Sequence, residues 1–136
     1  MIRPTVLVAF VPALWFALAG CGTPRPPEIK AVGSVTVTVD ASNRRTLARV
    51  PFASDVTLAL PPAKPAGYVW QISAHDTRFL KQRTEITAAA DPESGSTVSF
   101  LAVRTGVTRI RFVLVESAGR AETDPVDFRE VELAIQ

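Results

Sequence analysis

The chain has 136 residues, 47% hydrophobic and 21% charged, with a formal charge of +2, one cysteine and one histidine. That length suits a single domain with its own core, and so balanced a charge offers no basic surface for nucleic acid. One cysteine allows no internal disulfide, and one histidine without partner cysteines cannot build the usual zinc site.

Residues 1–20 read as a secretory leader. Met1-Ile-Arg3 gives a short positive start, Val6 to Leu18 an apolar run broken at Pro12, and small residues follow. This is too short and wrongly flanked for a membrane span. The leader ends on Leu18-Ala19-Gly20-Cys21, the pattern of a bacterial lipobox, in which the cysteine is acylated and becomes the new N-terminus. An ordinary cleavage site beside an unrelated cysteine is the alternative. Two acyl signals already suffice for stable anchoring, so the lipidation site Cys21 places the chain in a bacterial cell envelope, held on the membrane by lipid. Gly22, non-acidic, points to the outer membrane, facing the periplasm, in a Gram-negative cell. Acylation would also leave the mature chain without a thiol, so its stability must come from a packed core.

Residues 21–31 then form a tether. Gly22-Thr-Pro-Arg-Pro-Pro27 is proline-rich and extends at about 3.1 Å per residue. The domain proper covers residues 32–136. Val35-Thr-Val-Thr-Val39 alternates apolar and hydroxyl side chains, Thr46 to Val50 is a second strand, and Val56-Thr-Leu-Ala-Leu60 alternates again; such period-two segments are half-buried strands.

Leu60-Pro-Pro-Ala-Lys-Pro-Ala-Gly67 packs three prolines and a glycine into eight residues. Proline presets φ and removes donors, while Gly67 permits the turn that lets a strand begin at Tyr68. A loop stiffened in this way can enter a partner's groove at little ordering cost; the plainer reading is an inter-strand corner. Tyr68-Val-Trp-Gln-Ile72 follows with Tyr68, Trp70 and Ile72 on one face. Further strands are read at Phe79-Leu80, Thr97 to Val103, Val107 to Val115 and Phe128 to Ile135, separated by turns such as Asp91-Pro92, Ser94-Gly95 and Asp124-Pro125. Seven or eight short strands and no helical period predict an all-β, antiparallel sandwich of immunoglobulin-like type.

Alternation also sorts the charges. Arg109 and Arg111 oppose Ile110 and Phe112, and Glu130 and Glu132 oppose Val131 and Leu133. On neighbouring antiparallel strands these become exposed cross-strand pairs, each contributing about 0.2–1 kcal/mol. Enzymatic chemistry finds little footing. Successive residues of a strand point to opposite faces, so His75-Asp76 is no ready-made dyad, and the Gly-x-Ser-x-Gly, P-loop and dinucleotide patterns are absent from the sequence. The sequence calls for no catalytic residue, cofactor or metal.

Gly67-Tyr68-Val69-Trp70 after the proline loop, then Phe79, Gly95 before Val98-Ser-Phe100, and Gly106-Val-Thr-Arg-Ile110-Arg-Phe112 resemble the chagasin family, bacterial and protozoan inhibitors of papain-like cysteine peptidases. The likeness spans roughly Val56 to Ile135. It implies an immunoglobulin-like sandwich that blocks the peptidase cleft non-covalently with three neighbouring loops. Carried onto this chain, those loops supply Lys64, Pro65, Ala66, Gly67 and Tyr68, then Gly95 and Ser96, then Glu116 and Ser117, with a papain-like cysteine peptidase as partner. Where the family reads Asn-Pro-Thr-Thr this chain has Ala63-Lys64-Pro65-Ala66, and where the family carries Arg-Pro-Trp it has Glu116-Ser117-Ala118. A lipid-anchored envelope module with the same fold and no inhibitory activity is the alternative function, and the polar stretch from Glu116 to Asp127 suits either.

Overall fold

The alternating segments are strands in a computed structural model of the chain, which describes residues 22, 24–25, 27–117 and 124–136. Nine strands fall among the described residues: β1 (Gly33–Thr38), β2 (Arg45–Val50), β3 (Ser54–Leu60), β4 (Tyr68–His75), β5 (Leu80–Gln82), β6 (Thr87–Ala88), β7 (Ser96–Ala102), β8 (Gly106–Glu116) and β9 (Asp127–Ile135). A 3₁₀ turn, Pro92–Ser94, precedes β7. The expected leader, Cys21 and residues 118–123 of the polar stretch from Glu116 to Asp127 lie outside the described residues.

Two sheets face each other. One runs β1-β3-β7-β5, with the short β6 also on β7, and the other runs β2-β9-β8-β4. This is the immunoglobulin-like sandwich that the sequence predicts, with one difference: both sheets are mixed, not purely antiparallel. β1 lies parallel to β3, with Val35 beside Val56, and β2 lies parallel to β9, with Ala48 beside Leu133; the other pairs are antiparallel. The cause is the order in which the chain visits the sheets. β1, β2 and β3 reverse direction in turn, but β2 crosses to the opposite sheet, so β1 and β3 meet as neighbours running the same way.

The inner faces form one core. In β3 the residues Val56, Leu58 and Leu60 point inward, and Phe100, Ile110, Phe112, Val131 and Leu133 meet them from β7, β8 and β9. Each side chain of this size contributes about 1.5–3 kcal/mol on full burial. Trp70 is 4% exposed, and Tyr68 and Ile72 pack beside it on the same side of β4. On the outer face Arg109 stands opposite Glu132 and Arg111 opposite Glu130. Arg109 pairs with Glu132 at 2.9 Å, and Arg45 reaches the same carboxylate at 2.7 Å. Arg111 lies over the Phe128 ring, 4.5 Å from its centroid.

Register defines two poles. β3 ends beside the start of β7, with Leu60 opposite Ser96, and β8 ends beside the start of β4, with Glu116 opposite Tyr68. β1 ends, and β2 and β9 begin, at the same pole. The chain enters from the other pole, where the Val32 amide donates to the Ala53 carbonyl at 2.8 Å.

Candidate functional site: the loop pole

The β3–β4 connection is rooted by Trp70, whose indole Nε1 donates to the Pro61 carbonyl at 2.8 Å. Prolines 61 and 62 are half-buried behind it, and Lys64, Pro65, Ala66 and Gly67 form an exposed tip. Gly67 has φ +90, a left-handed conformation that favours glycine. Its carbonyl receives both the amide of Ser117, at 2.7 Å, and the Ser117 hydroxyl, at 2.8 Å. The tip of the first loop is thereby joined to the start of the third.

The second loop is organised by Asp91. Its Oδ1 accepts from the Glu93 amide at 3.0 Å and its Oδ2 from the Ser94 hydroxyl at 3.3 Å, which caps the 3₁₀ turn. Lys64 Nζ reaches Glu93 Oε2 at 3.0 Å and ties this turn to the first loop. Both partners are largely exposed, so the pair adds at most about 1 kcal/mol. Gly95 closes the turn at φ 76 and ψ −154. A Cβ there would overlap the Leu60 carbonyl oxygen, so this backbone approach requires glycine.

Of the residues that the sequence singles out, Lys64, Pro65, Ala66, Gly67, Tyr68, Glu116 and Ser117 are brought together at this pole. Gly95 and Ser96 adjoin them but are buried. The exposed face of the second loop is Asp91, Glu93 and Ser94, for which the sequence offered only the turn signals Asp91-Pro92 and Ser94-Gly95.

A fourth segment, the β1–β2 loop, borders the same pole and carries no motif. There the Asp40 carboxylate accepts from Ser42 N at 2.7 Å and from Asn43 Nδ2 at 2.8 Å. The Asn43 side chain and the Ser42 and Asn43 amides hold its pKa below the usual carboxylate value. Sequence reasoning also passed over Arg129, which points inward beneath these loops.

Two open clefts flank the Pro61-Pro62 ridge. One, of about 560 Å³, is lined by Thr38, Asp40, Ala41, Leu60, Pro61 and Ser94; the other, of about 290 Å³, by Pro61, Pro62, Lys64, Trp70 and Arg129. The pole offers shape, carbonyls and a proline-stiffened tip. His75, at the far end of β4, turns its ring edgewise onto Phe100 at 5.4 Å. The neighbouring Asp76 carboxylate is taken by Arg78, at 2.7 Å to Nη2 and 3.0 Å to Nε. Among the described residues, no three His, Cys, Asp or Glu side chains gather as a metal site.

No family model matches the sequence, and no curated protein matches it. Solved structures do. The crystal structure of EhICP2, a cysteine protease inhibitor from Entamoeba histolytica, is similar at a TM-score of 0.59 and 15% identity, over 76% of this chain and 96% of that one. The solution structure of amebosin has a TM-score of 0.48 at 18% identity, over 76% and 97%. PbICP-C, solved in complex with falcipain-2, has a TM-score of 0.45 at 9% identity, over 83% and 96%. At these identities likeness speaks for the fold, and EhICP2 carries it. The class is therefore an immunoglobulin-like β-sandwich of the kind on which a cysteine protease inhibitor is built. Within that class, the fold is chagasin-like, as the sequence resemblance implies.

Proposed function

We propose that the chain is a non-covalent inhibitor of papain-like cysteine peptidases, anchored in a bacterial envelope by lipid on Cys21. The observation that carries this reading is the convergence at one pole. The tip Lys64–Gly67 is tied to the third loop through Ser117 and to the second through Glu93, on a sandwich similar to that of EhICP2. A tip with preset φ angles loses little further entropy on docking. It can occlude a nucleophile without offering a well-placed scissile bond, so the activity is steric blockade, with no catalytic group of its own. Lys64, Pro65, Ala66, Gly67 and Tyr68 form the central contact, and Glu116 and Ser117 flank it. Gly95 and Ser96 act from below, by holding the Asp91–Ser94 turn in place.

The test is the residual activity of several papain-like peptidases against rising concentrations of a chain beginning at Gly22, which contains every described strand. The control is the double variant Pro65→Gly, Ala66→Asp, whose softened and charged tip should bind less well at nearly unchanged stability. Inhibition that survives in the double variant would discard this loop as its source. The anchor is tested separately: Cys21→Ala should abolish lipidation, and an unmodified, soluble wild type by intact mass and fractionation would refute it.

One observation favours a second reading. The tip lacks the Asn-Pro-Thr-Thr and the third loop the Arg-Pro-Trp of the family that the sequence resembles. Absence of inhibition at high micromolar concentration would make the chain an envelope binding module on the same scaffold.

A further inference from the structure

Arg129 shares the inner side of β9 with Val131, Leu133 and Ile135 and is 9% exposed. A guanidinium taken out of water is destabilising unless its donors find acceptors. Here Nε donates to the Asp40 carbonyl at 3.2 Å and Nη2 to the Ala41 carbonyl at 2.9 Å. Nη1 donates to the Phe128 carbonyl and to Asp127 Oδ2, both at 2.8 Å. The guanidinium carbon also stands 5.7 Å from the Trp70 ring centroid, within reach of a cation–π contact. Trp70 in turn donates to the Pro61 carbonyl.

One side chain thus touches the β1–β2 loop and the root of β9 directly, and the root of the β3–β4 loop through Trp70. Burial alone does not call for arginine at this position, because an apolar residue would continue the inner row of β9. What arginine adds is a fork of donors whose acceptors lie on separate segments.

We propose that Arg129 is the positioning residue of the loop pole. It sets the placement of the β1–β2 loop, the β3–β4 loop and the start of β9 relative to one another, and so the shape presented to a peptidase cleft. The second half of this statement rests on the inhibitory reading; the first does not.

The experiment compares Arg129→Met with Ile110→Val, a mid-strand core variant that destabilises without touching the pole, in the chain beginning at Gly22. Native-state hydrogen exchange by NMR is read at the Trp70 indole N–H and at the amides of Ser42, Asn43 and Ser117. These sites should exchange about tenfold faster in Arg129→Met than in Ile110→Val once each is referred to its own mid-strand amides. Arg129→Lys keeps the charge but lacks the fork that joins the β1–β2 loop to the start of β9, and should behave like Arg129→Met; it takes the same comparison if Arg129→Met does not fold. Pole protection equal to that of the Ile110→Val control overturns the proposal.

Papain inhibition is then measured with the same proteins. The inhibition constant should rise about tenfold in both Arg129 variants, mainly through faster dissociation. An unchanged constant alongside altered exchange would sever the pole's placement from cleft binding and overturn that half. If the wild type does not inhibit papain, the inhibitory reading fails for this peptidase, while the exchange comparison still decides the role of Arg129.

Discussion

Two glycines at the loop pole invite the same substitution and should answer it differently. Gly67 and Gly95 both have left-handed φ, +90 and +76. At Gly67 nothing lies within 4 Å of where a Cβ would stand, so alanine there meets only the backbone penalty, about 1 kcal/mol. At Gly95 the φ of 76 is combined with ψ −154, a region that is essentially glycine's and costs other residues about 1–3 kcal/mol. The added Cβ would also overlap the Leu60 carbonyl oxygen and stand 3.2 Å from its carbonyl carbon. No rotamer relieves a clash with backbone. Leu60 faces Ser96 in the β3–β7 ladder, so yielding would disturb the last ladder pair, with an overpacking penalty of about 1–3 kcal/mol. Gly95→Ala should therefore cost about 3 kcal/mol or more and lower Tm by about 15 °C, against a few degrees for Gly67→Ala. Urea unfolding followed by Trp70 fluorescence, with thermal melts, reads both. Equal losses for the two variants, or a Gly95→Ala chain within about 0.5 kcal/mol of wild type, would refute the reasoning from backbone approach.

Trp70→Ala should destabilise by about 3–5 kcal/mol, through lost burial and a residual cavity, as well as freeing the Pro61 carbonyl; an unfolding curve unchanged from wild type would contradict the core placement. Trp70→Phe keeps most of the ring but removes the indole donor, and should cost about 1 kcal/mol, with the effect seen in the mobility of the Pro61–Gly67 loop. At the opposite pole, hydrogen bonds from the Arg78 side chain and amide hold the Asp76 carboxyl down to about 2. Its folded value lies below that of the unfolded chain, so its contribution is complete above about pH 4 and is lost as pH falls through about 2. The stability difference between wild type and Asp76→Asn should be smallest near pH 2 and grow to a plateau by about pH 5; a flat difference across that range would show that Asp76 titrates normally.

Period-two alternation made most strands legible because one face of each sheet is buried and the other is not. The same pattern cannot tell a parallel neighbour from an antiparallel one, which is why the β1–β3 and β2–β9 pairings came only with the structure. β4 runs past Ile72 to His75, but an irregularity between Ile72 and Ala74 shifts its register and breaks the alternation from which the strand end was read. β6 has two residues, both exposed, too short to show a period. Tyr68, Trp70 and the Gly67 turn were visible as local chemistry. The ties that assemble the pole were not: Lys64 and Glu93 are 29 positions apart, Ser117 and Gly67 are 50 apart, and Arg129 and Asp40 are 89 apart. Arg129 did leave one trace, its parity with Val131 and Leu133, which placed a charged residue in an inward row.

The direction of the first strand bears on how the proposed anchor and the proposed contact loops share one small domain. In the tether stretch Gly22, Pro24, Arg25, Pro27 and Glu28 are exposed, and the chain joins the sandwich at Val32, on the Ala53 carbonyl. β1 then runs beside β3 toward the loop pole, so entry and loops are separated by the length of a strand, about 20 Å for the seven residues of β3. A proline-rich tether over residues 22–31 adds up to about 30 Å if fully extended. Lipid on Cys21 would therefore hold the domain by its far pole and turn the Lys64–Gly67 tip away from the bilayer, toward a peptidase free in the aqueous compartment. A domain tethered at the loop pole would press the same residues against the membrane. The parallel pairing of β1 with β3, which like that of β2 with β9 the antiparallel expectation lacked, is what would keep the proposed anchor and the proposed contact surface apart.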